Sequence, residues 1–243
     1  MQLFYSPDSE SESLTLDPEE SWHMTKSLRM KVGDPVSVTN GKGWIFDGSL
    51  SRVQSDGCTV TIESKKFTEP PELSLHIAIA PTKNIDRFEW FLEKATEIGI
   101  SEITPLICAR SERTTIKPAR LEKILISAMK QSLHCWLPVL HESLKINNFL
   151  KNTIPGQRFI ASCETGKEEM LHRFLKTSGK ITILIGPEGD FTPEELKEAV
   201  TAGFVPVSLG PSRYRTETAG IVACHLVRMK EICIDLPNKK MIE

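Results

Sequence analysis

The densest set of chemically capable side chains lies in two segments of the C-terminal third. The first runs Ile185-Gly186-Pro187-Glu188-Gly189-Asp190-Phe191, and the second runs Leu209-Gly210-Pro211-Ser212-Arg213-Tyr214-Arg215-Thr216-Glu217-Thr218-Ala219. Gly186 and Gly189 let the backbone adopt positive φ or approach a ligand that a Cβ would hold off. The second segment packs two arginines, a tyrosine, two threonines and a glutamate into the six positions from 213 to 218. Such polar density exceeds what a connector between apolar elements requires. Two plainer readings compete, a strand-to-helix turn whose glycines only satisfy geometry and a run of solvated charges.

The neighbouring sequence specifies how these segments are held. Residues 181–185 form a short apolar run expected to be a strand. Thr192, Pro193 and Glu195 then spell a capping box with proline at the first helical position, which gives the first loop a defined length. Residues 205–209 read as another strand. A helix is expected near Thr216, with Thr216 as N-cap and Glu217 favoured by the helix dipole. Ligands of open α/β sheets bind at the carboxyl ends of strands, where both loops fall.

The same alternation of apolar runs and amphipathic stretches extends upstream, with strands expected at 75–80, 103–109 and 159–163. Phe88, Phe91, Leu92, Ala95 and Ile98 share one face of a helix over 86–98, as do Leu121, Ile124, Leu125, Ala128 and Met129 over 117–133. The fold class is therefore α/β with a largely parallel sheet. Residues 1–66 differ, offering β-like runs at 35–39, 43–50 and 58–62 separated by Asn40-Gly41 and Asp56-Gly57, after a helix at 18–30 with Asp17 as N-cap. Pro70-Pro71 breaks the chain, so the expected domains are 1–69, a small β module, and 70–243.

Over 243 residues, 40% hydrophobic and 26% charged content is that of a soluble globular protein, and no membrane-length apolar stretch or secretory signal is present, which points to the cytoplasm. Cys58, Cys108, Cys135, Cys163, Cys224 and Cys233 form no pair or cluster with metal-ligand spacing, and His23, His76, His134, His141, His172 and His225 show none between them. Reduced thiols and no metal are expected. A net charge of −2 leaves nucleic-acid binding to local patches. The densest patch, Arg110, Arg113, Lys117, Arg120 and Lys123, is interrupted by only two acidic residues.

Gly186-Pro187-Glu188-Gly189 together with Leu209-Gly210 and Arg215-Thr216-Glu217-Thr218-Ala219 resembles the SPOUT superfamily, specifically the RsmE family of ribosomal RNA uridine-N3 methyltransferases. Leu28-Arg29-Met30, Val32-Gly33-Asp34, the run from Lys94 to Ile100 and Gln131-Ser132 extend the resemblance along most of the chain. It implies a PUA-like β-barrel before a SPOUT domain with a trefoil knot, a homodimer, ribosomal RNA or the small ribosomal subunit as partner, and S-adenosyl-L-methionine as methyl donor. By the same resemblance, Cys163, Glu164, Leu184, Gly186, Glu188, Gly189, Leu209, Gly210, Thr216 and Thr218 bind the cofactor. Arg29, Lys31, Arg110, Arg113, Lys117 and Arg120 are the RNA-binding candidates.

Uracil N3 carries a proton and is a poor nucleophile until the proton leaves. Arg215 is the residue expected to stabilise charge developing on the uracil oxygens, with a phosphate clamp or a structural ion pair as the alternatives. Glu217 is the candidate proton acceptor. The sequence departs from the family pattern at Asp190, where glycine is usual, at His134, where arginine is, and at Arg213-Tyr214, which replaces a more apolar pair. A non-catalytic RNA-binding assembly factor is the competing reading. An oxidoreductase lacks its Gly-x-Gly-x-x-Gly after an early strand.

Overall fold

A computed structural model of the chain describes residues 2–7, 12–54, 57–152, 155–162 and 169–235, with side chains as far as 231. The chain forms two compact units, one of residues 1–70 with 126–137 and one of 71–125 with 138–243.

In the first unit β1 (Leu3–Tyr5), β2 (Ser13–Thr15), β3 (Pro35–Thr39), β4 (Trp44–Arg52) and β5 (Thr59–Phe67) make one sheet in the order β1-β3-β4-β5-β2. Only β1 and β3 pair in parallel. β1 and β2 are three residues each, too short to show a period in sequence. The register of β4 on β5 shifts at Asp47/Gly48, and a Cβ on Gly48 would stand 2.0 Å from the Thr61 carbonyl oxygen, so glycine alone fits that bulge. Phe4, Leu14, Met24, Val38, Leu50 and Val60 fill the core.

The helix expected over 18–30 is shorter and changes type. α1 (Pro18–Trp22) starts as read, with Asp17 Oδ1 accepting the Glu20 N–H at 2.8 Å. A π-helical turn then covers His23–Ser27, with the Leu28 N–H bonded to the His23 carbonyl at 3.1 Å. The Thr25 hydroxyl takes the Ser21 carbonyl at 2.9 Å, competing with the regular ladder, and Arg29 at φ 56° ends the run. Burial raises the Glu20 carboxyl, while the Lys130 ammonium paired with it pulls the other way.

The second unit holds β6 (Leu73–Ile79), α2 (Ile85–Ile98), β7 (Glu102–Ile107), the start of α3 (Pro118–Gln131), β8 (Val139–Leu140), β9 (Leu144–Lys145), α4 (Ile146–Lys151), β10 (Gln157–Ala161), β11 (Gly179–Ile185), α5 (Pro193–Thr201), β12 (Val205–Val207) and α6 (Thr216–Asp235). The strand order is β12-β10-β11-β6-β7-β8, with β9 also on β7, and every pair is parallel. Helices cover both faces of such a sheet, which is why its central strands read as unbroken apolar runs. From β6 the order runs one way through β7 to β8, and the other way through β11 and β10 to β12. The carboxyl ends of β10, β11 and β12 therefore lie side by side.

β7 and β12 end earlier than expected because local turns intervene. After Ile107 the Cys108 N–H is taken by Ser111 Oγ at 2.9 Å, and after Val207 the Ser208 hydroxyl bonds the Gly210 carbonyl at 3.1 Å. Arg228 on α6 is buried and donates to the Leu73 carbonyl at 2.8 Å and the Gly99 carbonyl at 3.0 Å, tying the last helix to β6 and the end of α2. Cys58, Cys108, Cys135 and Cys224 are buried free thiols, and burial pushes Cys108 and Cys224 upward. Among the described residues no helix is long and apolar enough to cross a membrane.

Candidate active site

A cleft of about 900 Å³ opens at the carboxyl ends of β10, β11 and β12. Small-molecule sites span roughly 300 to 1,000 Å³ and favour this position in open α/β sheets. Its walls come from Ala161 at the end of β10 and Ser162 after it, from the loop after β11, and from the loop between β12 and α6.

The first loop is braced from outside itself. The capping box is complete, with Thr192 Oγ1 accepting the Glu195 N–H at 3.2 Å and Glu195 Oε2 accepting the Thr192 N–H at 2.8 Å. The other oxygen of buried Glu195 accepts the Ala109 N–H at 2.7 Å. Arg110 reaches across from that segment and donates to the carbonyls of Gly189 at 2.7 Å and Phe191 at 3.1 Å. Arg113 donates to the Thr82 and Lys83 carbonyls, and the Lys83 N–H in turn donates to Glu188 Oε1 at 2.9 Å. Asp190 sits at φ 61°, a conformation that glycine adopts freely and aspartate tolerates better than most residues. Its departure from the family pattern thus preserves the turn, and its Oδ1 accepts the Phe191 N–H at 2.8 Å.

The second loop is anchored at its start, where the Ser208 N–H donates to the Glu169 carbonyl at 3.0 Å and the Ser208 carbonyl accepts the Leu171 N–H at 2.9 Å, and past that point it is held largely by its own atoms. Ser208 Oγ and Gly210 exchange hydrogen bonds, and the Tyr214 ring lies against Gly210, where a Cβ would stand 2.6 Å from the phenol oxygen. One bond crosses to the first loop: the Thr216 hydroxyl donates to the Gly186 carbonyl at 3.0 Å. This corrects the N-cap assignment. α6 begins at Thr216 itself, and the Arg215 carbonyl accepts the first helical bond, from Ala219. Arg215 is exposed and lines the cleft, next to the end of α6 where free N–H groups favour negative charge.

Of the expected cofactor residues, Gly186, Glu188, Leu209, Gly210 and Thr216 line the cleft with Arg215. Leu184 does not, since β11 points it into the hydrophobic core, and Gly189 turns its carbonyl to Arg110. Thr218 lies outside the lining. Glu217 is likewise outside; it is buried with Oε1 3.9 Å from Arg87 on α2, and its other oxygen has no partner among the described residues. The helical turn after Arg215 sets it beyond the cleft lining, on the side of Arg87. Cys163 and Glu164 lie outside the described residues.

The RNA-binding candidates separate in the same way. Arg110 and Arg113 are committed to loop carbonyls, and Arg120 forms a two-pronged pair with Glu89, at 2.6 and 2.7 Å. Lys117 is exposed at the start of α3. Arg29 and Lys31 are exposed in the first unit, beside the turn where Asp34 accepts the Lys31 N–H at 2.7 Å.

The sheet also unites residues whose sequence spacing gave no metal signal. His76, Glu102 and His141 bring potential ligand atoms within 4.8 Å of one another, because His76 is the register partner of Glu102 and the His141 N–H bonds the neighbouring Ile103 carbonyl. Lys180 already supplies a positive charge 2.6 Å from Glu102 Oε1, and His76 Nε2 is bonded to Thr104. Burial lowers His76 to about 4, keeping it neutral near pH 7. The cluster stands apart from the cleft residues and serves as a polar brace across β6, β7 and β11.

Residues 69–228 match the family model described as RNA methyltransferase domain, and residues 16–63 match the RNA methyltransferase PUA domain. Ribosomal RNA small subunit methyltransferase E of Synechocystis is 30% identical over 232 residues, covering 91% of this chain and 75% of the relative. The chain belongs to this family. A solved "probable rRNA-methyltransferase" from Porphyromonas gingivalis is 40% identical with a TM-score of 0.89, over 96% of this chain and 100% of that one. The Neisseria gonorrhoeae ribosomal RNA small subunit methyltransferase E, solved bound to S-adenosyl methionine, is 27% identical with a TM-score of 0.82, over 94% of this chain and 97% of that one. The family's two parts coincide with the fold: its PUA match falls in the five-stranded unit, and its methyltransferase match contains the cleft.

Proposed function

We propose that the chain methylates N3 of a uridine in small-subunit ribosomal RNA, using S-adenosyl-L-methionine and no metal. The observation that carries this reading is the meeting, in one cleft, of the braced glycine loop with Arg215. S-adenosylmethionine supplies an electrophilic sulfonium methyl group. Loop backbone around Gly186, Leu209 and Gly210 offers the close amide and carbonyl contacts that a nucleoside needs, and Glu188 adds a carboxylate. Arg215 stabilises the negative charge on the uracil oxygens as the N3 proton leaves, which raises the fraction of nucleophilic base in position.

The same reading makes the chain a cytoplasmic homodimer with the knotted connection of its family. Trp90 on α2 and Met229 on α6 remain exposed on two helices that pack together, as a further apolar contact would require. Exposed Lys117, Arg29 and Lys31 are the cations best placed to neutralise phosphate. Mass spectrometry of ribosomal nucleosides from cells with and without the gene tests the reaction: 3-methyluridine should disappear on deletion, and an unchanged level refutes the substrate. Calorimetry separates the assembly-factor alternative, which predicts no affinity for S-adenosylmethionine.

A further inference from the structure

Among the described residues that line the cleft, Tyr214 alone is aromatic. Its surroundings there are glycines, prolines, serines, short aliphatic side chains and charged groups. A uracil held at N3 by charge on its edge also needs support on its face, because a flat ring bound only through its oxygens can still tilt. Protein sites that hold unstacked bases usually supply that support with an aromatic side chain.

We infer that Tyr214 is the stacking surface for the target base and sets the angle at which N3 is presented. Three observations converge on it. The ring is half-buried and lines the cleft. It is backed by Gly210, where a Cβ would meet the phenol oxygen at 2.6 Å, Cε2 at 3.2 Å and Cζ at 3.3 Å, so the glycine creates the seat in which the ring lies. It also directly precedes Arg215, which places a ring for the base face next to a cation for the base edge. The inference rests on the uridine reading above.

The test uses the full-length protein and small subunits from cells lacking the gene. Tyr214→Phe should keep its activity, Tyr214→Leu should fall between, and Tyr214→Ala should lose on the order of tenfold to a hundredfold in kcat/KM for RNA. Affinity for S-adenosylmethionine by calorimetry should be the same in all four proteins. Unchanged methylation by Tyr214→Ala overturns the inference. So does a parallel loss of cofactor affinity, which would place the ring in the donor pocket, or a phenylalanine variant as impaired as alanine, which would assign the role to the hydroxyl. If Tyr214→Ala does not fold, the leucine variant carries the same comparison. Failure of the wild type to bind S-adenosylmethionine refutes the wider reading and this one with it; a failure confined to the variants refutes this one alone.

Discussion

The loop at 186–191 and the loop at 210–215 wall the same cleft, yet one is tied to three separate segments of the fold and the other, past its anchor at Ser208, mostly to itself. Arg110, the Lys83 amide and the Thr192–Glu195 box fix the first from without. Ser208, Gly210 and Tyr214 fold the second upon itself once the Ser208 backbone has anchored it to Glu169 and Leu171, and the Thr216 hydroxyl ties it to the first. A pre-built wall suits a ligand of constant shape, because little ordering cost remains at binding. A self-contained loop can shift as a polymer substrate enters. The pairing predicts that damage to the brace of the first loop appears in cofactor affinity, and damage at Tyr214 or Arg215 of the second in RNA turnover.

The largest expected effect tests the second loop. Arg215→Ala should lower single-turnover methylation by on the order of 10²- to 10³-fold, the scale seen when one charge-stabilising donor is removed, with cofactor affinity intact. Wild-type turnover would make Arg215 a phosphate clamp or a structural residue. On the first loop, Arg110→Ala removes two bonds from a charged donor and should weaken S-adenosylmethionine binding roughly tenfold. Its RNA affinity should keep the same dependence on salt. A salt slope reduced by about 1 would instead return Arg110 to the phosphate-contacting role read from sequence.

These two arginines show what a sequence reveals. The capping box, the strands running into both loops and the faces of α2 and α3 were legible because each depends on residues within a turn or two of one another. Arg110 and Arg113 read as an RNA patch on charge alone, and composition does not display their hydrogen-bond partners. Their partners, Gly189 and Lys83, lie 79 and 30 residues away. The meeting of His76, Glu102 and His141 was hidden for the same reason, since sheet register alone brings them together. Glu217 lies beside Arg87 on α2, a neighbour that the residues flanking it in sequence do not disclose.

A milder lesion of the brace leaves the arginines alone. Thr192→Ala deletes one hydrogen bond of the capping box and should cost about 1 kcal/mol, seen as a drop of roughly 2–4 °C in melting temperature. Cofactor affinity should fall slightly alongside it. If stability drops while affinity does not move at all, the box supports α5 without supporting the loop.

The finest distinction compares one added methyl group in each loop. At Gly186 a Cβ would lie 3.1 and 3.2 Å from the Phe191 ring and 3.3 Å from its amide nitrogen, and Phe191 is fixed in the core, so Gly186→Ala must distort the braced loop. At Gly210 the clash is with the far end of Tyr214, a half-buried side chain that can swing aside. Gly210→Ala should therefore leave melting temperature close to wild type and lower cofactor affinity less than Gly186→Ala, which weakens both. The displaced tyrosine should appear elsewhere, as a modest rise in KM for RNA, whereas Gly210→Ala should add nothing further once Tyr214 is already alanine. Two single variants whose effects simply add in RNA KM would mean that ring and glycine act independently. The division between a rigid donor wall and an adaptable base wall would then have to rest on Arg215 alone.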